Sequence, residues 1–273
     1  MVATGAGGGG YAGGMADLSR GRTSDAAPGV VGIAAAELPP LPDDLLARPT
    51  AGRLDLGAWF RNPGARLELE IGTGKGTFIL NQAAADPETN YLGIEWEGEI
   101  YAYCADRIRR RGLSNVRMLH ADAVSFLRWR VHDGAFAVIH LYYSDPWPKT
   151  KHHKNRVVQH GFLAEAWRTL AAGGELRVVT DHDELWAWDR EHFAPWLADA
   201  ASLAAGLAAG MSDPVPAGIR AAAGGGPAFS EDEFVPPAWV DDGEVLGTNY
   251  ERKFCGPGGA VKAPHSCVLR KRG

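Results

Sequence analysis

From residue 65 onward the chain alternates between two hydrophobic patterns. The stretches "RLELEIG", "NYLGIE", "NVRMLHAD", "FAVIHLYYSD" and "ELRVVTD" are short runs rich in Val, Ile, Leu and Tyr, each closed by a glycine or an acid. Runs of this length with turn residues at their ends predict strands, and the long apolar "FAVIHLYYSD" suits a central one. Between them, "TFILNQAAAD", "EIYAYCADRIRRRG", "AVSFLRWRV" and "NRVVQHGFLAEAWRTLAAGG" predict helices, and "DELWAWDREHFAPWL" predicts another after the last strand. Strands alternating with helices predict an α/β fold built on a doubly wound, mostly parallel sheet. Right-handed crossovers then bring the strand C-termini to one edge, where ligands bind in such folds.

The flanks read differently. Residues 1–50 are rich in glycine and small side chains and poor in large apolar ones. Such a segment buries too little to offset its ordering entropy, so it is expected to be disordered. Residues 51–273 are expected to form a single domain, with a flexible Ala/Gly/Pro-rich surface excursion at about 204–240. At the end, "VLGTNYERKF" and "GAVKAPHSCVLRKR" are expected to pair as an antiparallel hairpin across "CGPGG".

Composition narrows the setting. The 273 residues are 45% hydrophobic and 22% charged, enough for a sizeable core. The net charge of -5 argues against nucleic-acid binding by the whole surface, so any polyanion site must be local. Cys104, Cys255 and Cys267 form no CxxC pair, which argues for a reducing interior over a disulfide framework or zinc site. No apolar run approaches the roughly 20 residues of a membrane span, and the N-terminus lacks the charged and apolar regions of a signal peptide. A cytoplasmic protein with no membrane partner is expected.

Glu70, Glu95, Asp122, Asp145 and Asp181 all fall at or near a predicted strand C-terminus. Helix capping accounts for any single one, but five acids on one edge point to a site. Between the first strand and helix, "EIGTGKG" carries Gly72, Gly74 and Gly76, which allow close backbone approach to a ligand. The spacing is neither the dinucleotide fingerprint nor a phosphate-binding loop ending in GK[ST]. Glu95, about twenty residues on, is placed to accept both hydroxyls of a ribose. Asp122 is placed to accept from an adenine amino group, and Glu70 to face a cationic amino group. A ligand with all three is S-adenosylmethionine. A dinucleotide brings a pyrophosphate that Glu70 repels, which leaves an NAD-dependent oxidoreductase as the weaker alternative.

"YYSDPWPKTKHHK", residues 142–154, follows the fourth of these strands. Pro146 and Pro148 fix the turn on either side of Trp147. Lys149, Lys151, His152, His153, Lys154 and Arg156 then gather positive charge suited to phosphates. Asp145 opens the loop at its reactive end. This suits a methyltransferase whose substrate base is attached to a phosphate backbone. Trp147 and Trp96 are candidates to stack on that base, with core packing as the competing reading. His152 and His153 have no carboxylate or Cys at ligand spacing, so no metal is expected. Arg107, Arg109, Arg110 and Arg111 read as a solvated helix face.

Taken in order, "LEIGTGKG", "GIE", "DPWPKTKHHK", the "TD" of Thr180–Asp181 and "TNYERKF" resemble the tRNA (guanine-N7-)-methyltransferase family, over roughly residues 65–270. The resemblance implies a class I methyltransferase fold with a seven-stranded sheet, S-adenosylmethionine as methyl donor and tRNA as partner. It implies methylation at N7 of guanosine 46 in the variable loop. It places Glu70, Glu95, Asp122 and Asp145 at or close to the donor, beside the loop of Gly72, Gly74 and Gly76; Asp145 is expected to be catalytic, by stabilising charge on the methylated base. The resemblance assigns Asp145, Lys149, Asp181 and the stretch Thr248, Asn249, Tyr250 and Glu251 to guanosine or tRNA, and the loop's charge adds Lys154 as a phosphate contact. The chain departs from the family where Thr150 and Asn155 interrupt the basic run and where the N-terminal segment is glycine-rich rather than basic. Another RNA position or a small-molecule substrate therefore stays open, as does a monomer or homodimer.

Overall fold

A computed structural model describes residues 31–241, 244–248, 251 and 263–273. Its strands are β1 (Gly32–Ala34), β2 (Leu67–Ile71), β3 (Asn90–Glu95), β4 (Val116–His120), β5 (Phe136–Tyr142), β6 (Leu170–Thr180), β7 (Phe229–Asp232) and β8 (His265–Lys271). They form one sheet in the order β1-β4-β3-β2-β5-β6-β8-β7. Strands β1 to β6 pair in parallel, and β8 runs antiparallel to both β6 and β7. The order reverses at β2, which lies between β3 and β5. That reversal opens a crevice at the strand C-termini.

All five residues of β2 are buried, although its sequence alternates leucine and glutamate. Leu67, Leu69 and Ile71 enter the larger core cluster. That cluster also takes Phe126 and Leu127 of α3 (Ala123–Arg130), Phe162 and Leu163 of α4 (His160–Thr169), and Phe193 and Trp196 of α5 (Asp183–Leu197). Strand geometry sends Glu68 and Glu70 to the opposite face. There a second cluster joins Ile79 and Leu80 of α1 (Thr77–Ala85) to Cys104, Ala105 and Ile108 of α2 (Gly98–Arg111). Helices cover both faces, as the sequence pattern predicts.

Five expectations are corrected. The sheet has eight strands rather than seven, because β1 adds a parallel edge to β4. The described part of the N-terminal fifty residues is therefore partly ordered: Met118 donates its backbone N–H to the carbonyl of Val31 at 2.7 Å. An edge strand of three residues is held by main-chain hydrogen bonds, and "GIA" carries no alternation to announce it. Residues 1–30 lie outside the described residues.

The excursion near 204–240 carries α6 (Ala200–Ala208), α7 (Ala217–Ala222) and β7. Buried Arg220 ties it down by donating to Asp213 at 2.9 Å and to the Gly226 carbonyl at 3.2 Å. The expected closing hairpin keeps one arm, β8. Its antiparallel neighbour outside β6 is Phe229–Asp232, while 245–248 is not strand and most of 249–262 lies outside the described residues. The helix expected to run to the glycines at 173 and 174 ends at Thr169, and β6 begins at once with Leu170. Among the described residues, no helix is long and apolar enough to cross a membrane.

Candidate active site

The glycine loop leaves β2 at the crevice. Gly72, Gly74 and Gly76 all take left-handed backbone angles, with φ of 75°, 52° and 73°. Their reasons differ. A Cβ at Gly72 or Gly74 would meet nothing within 4 Å, so these two leave open space above the backbone. Gly76 is packed instead, and a Cβ there would collide with the Cys104 sulfur. Glu95, at the end of β3, fixes the loop: one carboxylate oxygen accepts from Gly74 N at 2.9 Å and the other from Glu97 N at 3.0 Å.

Beneath the loop lies a cavity of about 460 Å³, walled by Phe78, Tyr142, Tyr143 and Thr248, with Glu70 among its lining residues. Glu70 is 5% exposed and its Oε2 is buried without a hydrogen-bond partner. Burial, and after it the nearby Glu95 carboxylate, pushes the Glu70 carboxyl well above the usual carboxylate range. A cation entering the cavity would relieve both effects. A buried carboxyl group with one oxygen unpartnered, beside open glycine backbone, fits a ligand that carries an ammonium group.

A buried polar layer supports this wall, and sequence reasoning missed it. His140 lies 2.8 Å from the Tyr142 hydroxyl through Nδ1 and 2.9 Å from Glu68 Oε2 through Nε2. Arg66 donates to the other Glu68 oxygen at 2.8 Å. Burial lowers the His140 pKa against the pull of Glu68. Burial raises that of Glu68, but the hydrogen bond from His140 and the charge and hydrogen bond of Arg66 outweigh it, and Glu68 stays low. Neutral His140 therefore donates from Nε2 to ionised Glu68 and accepts the Tyr142 hydroxyl at Nδ1. Phe78 packs on both rings at 4.9 and 4.8 Å. The available signal was two acids at alternate positions in the otherwise apolar "LELEI".

The loop after β5 is held in a strained conformation. Tyr143 and Trp147 are the two non-glycine residues with positive φ among those described, at 50° and 43°, and they flank Asp145. Asp145, Lys149, Lys151 and Lys154 are exposed. Arg156, expected among the phosphate-binding cations, is 2% exposed and turned inward. Trp147 sits 5.8 Å from the His152 ring. Trp96 is 70% exposed, so core packing does not account for it.

The remaining acids divide. Asp122 caps α3 by accepting from Ser125 N at 2.7 Å, the competing reading weighed for it. The N-cap residues of α1, α2 and α5 are Gly76, Glu97 and His182, although Glu70 also takes a backbone hydrogen bond from Ile79 in the first turn of α1. Asp181 is exposed, beside a cluster in which His265 lies 2.7 Å from Asp183 and stacks on Trp186. Glu251 is buried, and its carboxylate accepts from the backbone N–H groups of Val245 and Leu246. Its own N–H donates to Thr248 Oγ1 at 3.1 Å, so it orders the turn that brings Thr248 to the cavity. Asn249 and Tyr250 lie outside the described residues. The α2 arginines are not a purely solvated face, because Arg107 donates to the Lys75 carbonyl and Arg111 to Asn81.

The strand order and the antiparallel end of the sheet, with a glycine loop over a cavity that Glu70 lines, give the fold of class I methyltransferases. Residues 65–199 match the family model described as "Putative methyltransferase". Curated relatives of the chain carry the name tRNA (guanine-N(7)-)-methyltransferase. The protein of Alkalilimnicola ehrlichii is 40% identical over 148 residues, covering 54% of this chain and 60% of the relative. That of Sodalis glossinidius is 37% identical over 163 residues, covering 60% and 64%. That of Nocardia farcinica is 37% identical over 172 residues, covering 63% and 57%. The chain thus spans less than two thirds of the length of each of these relatives.

Proposed function

We propose that this chain transfers a methyl group from S-adenosylmethionine to N7 of a guanosine in tRNA, at position 46 of the variable loop, in the cytoplasm. The observation that carries the donor reading is the buried, unpartnered Glu70 oxygen at the cavity beneath the glycine loop. Glu70 would hold the donor's ammonium group, Glu95 its ribose hydroxyls and Asp122 its adenine amino group. When bound, the donor supplies an electrophilic methyl group on a sulfonium sulfur.

Guanine N7 carries an in-plane lone pair and needs no strong base to expose it. The chain's task is to align the base, exclude water and stabilise the positive charge that develops on the purine. Asp145 is the group assigned to that charge, as an acceptor for the guanine N1–H and N2–H, with Asp181 as the second acid at the same edge. Lys149 and Lys154 hold phosphate, and Thr248 completes the pocket. A base locked in tRNA tertiary structure must first be extruded. Trp147 and the exposed Trp96 are the rings available to stack on it.

The test is transfer of labelled methyl from S-adenosylmethionine to an unmodified tRNA transcript, with the modified position mapped by cleavage specific for N7-methylguanosine. Cleavage in the variable loop supports the full reading. Label without such cleavage keeps the methyltransferase and discards the N7 assignment, leaving another RNA position. No label with donor binding intact rejects tRNA in favour of a small-molecule acceptor.

A further inference from the structure

The donor assigned to the cavity has an amino-acid end that carries two charges. Its ammonium and its carboxylate are attached to one carbon, so whatever holds the first fixes the place of the second. Glu70 answers only the ammonium: its Oε2 is buried and unpartnered, while the Ile79 backbone N–H already reaches the carboxyl group. The second acid nearby, Glu95, has both oxygens on main-chain N–H groups. A carboxylate brought in beside two acids is repelled, and more strongly in a buried site than in water. It needs a cation of its own.

Among the described residues that line the cavity, Lys75 is the one cation. It stands between Gly74 and Gly76, at the turn from β2 into α1. Its backbone is pinned from two sides: Glu95 accepts from the Gly74 N–H, and Arg107 of α2 donates to the Lys75 carbonyl. The side chain is not pinned. It is exposed, and its ammonium has no ion pair or hydrogen bond among the described residues. A flexible four-carbon stem rooted at a fixed point can follow a ligand into the cavity. Helix α1 adds to the same effect. Thr77, its first residue, and Phe78 also line the cavity, and no acid stands in its first turn. The positive end of the helix dipole favours an anion there.

We propose that Lys75 binds the carboxylate of the methyl donor, so that Glu70 and Lys75, one before the glycine turn and one within it, together grip the amino-acid end as a zwitterion. The inference rests on the S-adenosylmethionine reading of the cavity. The demethylated product keeps both charges, so the same grip holds it too. An exposed lysine at the edge of a crevice could instead contact a tRNA phosphate, and the choice of ligands separates the two.

The experiment compares S-adenosylmethionine with its decarboxylated form, which keeps the adenosine, the sulfonium and the ammonium. Dissociation constants for both are measured by titration calorimetry, and for tRNA by filter binding, in the full chain. Wild type, Lys75→Met, Lys75→Arg and Glu70→Gln are compared. Wild type is expected to prefer the carboxylated ligand by about tenfold, the effect of one charge-assisted contact. Lys75→Met should abolish that preference and leave the Kd of the decarboxylated form and of tRNA unchanged, which also shows the fold to be intact. Lys75→Arg keeps the charge and should retain most of the preference. Glu70→Gln should weaken both ligands. A preference that survives in Lys75→Met overturns the proposal and leaves the donor reading standing. Loss of tRNA affinity in Lys75→Met with the preference intact overturns it in favour of a phosphate contact. Wild type that binds neither ligand removes the donor reading, and this inference with it.

Discussion

His140 Nε2 lies 2.9 Å from Glu68 Oε2, and both side chains are buried on the same face of the sheet as Glu70. Removing one partner strands the other. Glu68→Ala is expected to destabilise the chain by about 1–3 kcal/mol, the cost of an unsatisfied buried donor. The pH dependence has a definite sign. The folded pKa of His140 lies below its ordinary 6.5 and that of Glu68 below 4.5. For both, the unfolded chain binds more protons, so the pair's contribution is complete above 6.5 and is lost as pH falls through the folded values. Urea midpoints measured from pH 4 to about 7 should fall less steeply in His140→Gln than in wild type. Parallel curves would remove the pair from acid unfolding.

Glu70 should release a proton when the donor binds. Its carboxyl is raised in the free protein, and an arriving ammonium lowers it again. Titration calorimetry at neutral pH in buffers of different ionisation enthalpy should show net proton release in wild type and none from this group in Glu70→Gln. The variant should bind S-adenosylmethionine about tenfold to a hundredfold more weakly, as expected for a lost charge-assisted hydrogen bond. Equal affinity would move the ammonium site away from Glu70.

Asp145→Ala should lower kcat by about a hundredfold or more while donor Kd changes little, since its assigned role lies with charge developing on the acceptor base. Single-turnover methyl transfer alongside donor titration separates the two. Normal turnover by the variant would assign the charge-stabilising role to Asp181.

Lys149→Ala combined with Lys154→Ala should reduce the steepness of log affinity for tRNA against log salt by about 1–2, as for the loss of one or two phosphate contacts. Filter binding across a salt series measures it. An unchanged slope would place the docking cations elsewhere, with the exposed face of α2 next in line.

Asp189 predicts a stability effect opposite in sign to that of His140. Its folded pKa is about 7 against 3.8, so the folded chain binds the proton more tightly. The associated stability is present below 3.8 and lost as pH rises through 7. Asp189→Asn should therefore melt higher than wild type above pH 7 and alike at acid pH, checked by thermal unfolding across that range.

How much of this was readable beforehand depends on whether a signal is local. The parallel sheet, its switch point and the acids at strand ends follow from periodicity and crossover handedness. They were legible because each strand announces itself over five or more residues. Strand β1 was not, because "GIA" is held by backbone pairing to β4, which residue type does not encode. The partner of β8 was misread for a related reason. Antiparallel pairing across a glycine turn is the short-range expectation, but β8 inserts between β6 and β7 through contacts far apart in sequence.

Side-chain direction was the other gap. The sequence alone determined that Glu70, the glycine loop and the Asp145 loop meet at one edge, because strand order and right-handed crossovers leave no other arrangement. Only the tertiary structure decided which charges face outward. Lys149 and Lys154 reach solvent while Arg156, in the same basic run, turns in to hold Pro146. Glu68 and Glu70 share one face of β2, yet Glu68 is consumed by His140 and Glu70 is left to the cavity. A charge's role depends on whether burial supplies it with a partner, and partners come from segments that only folding brings together.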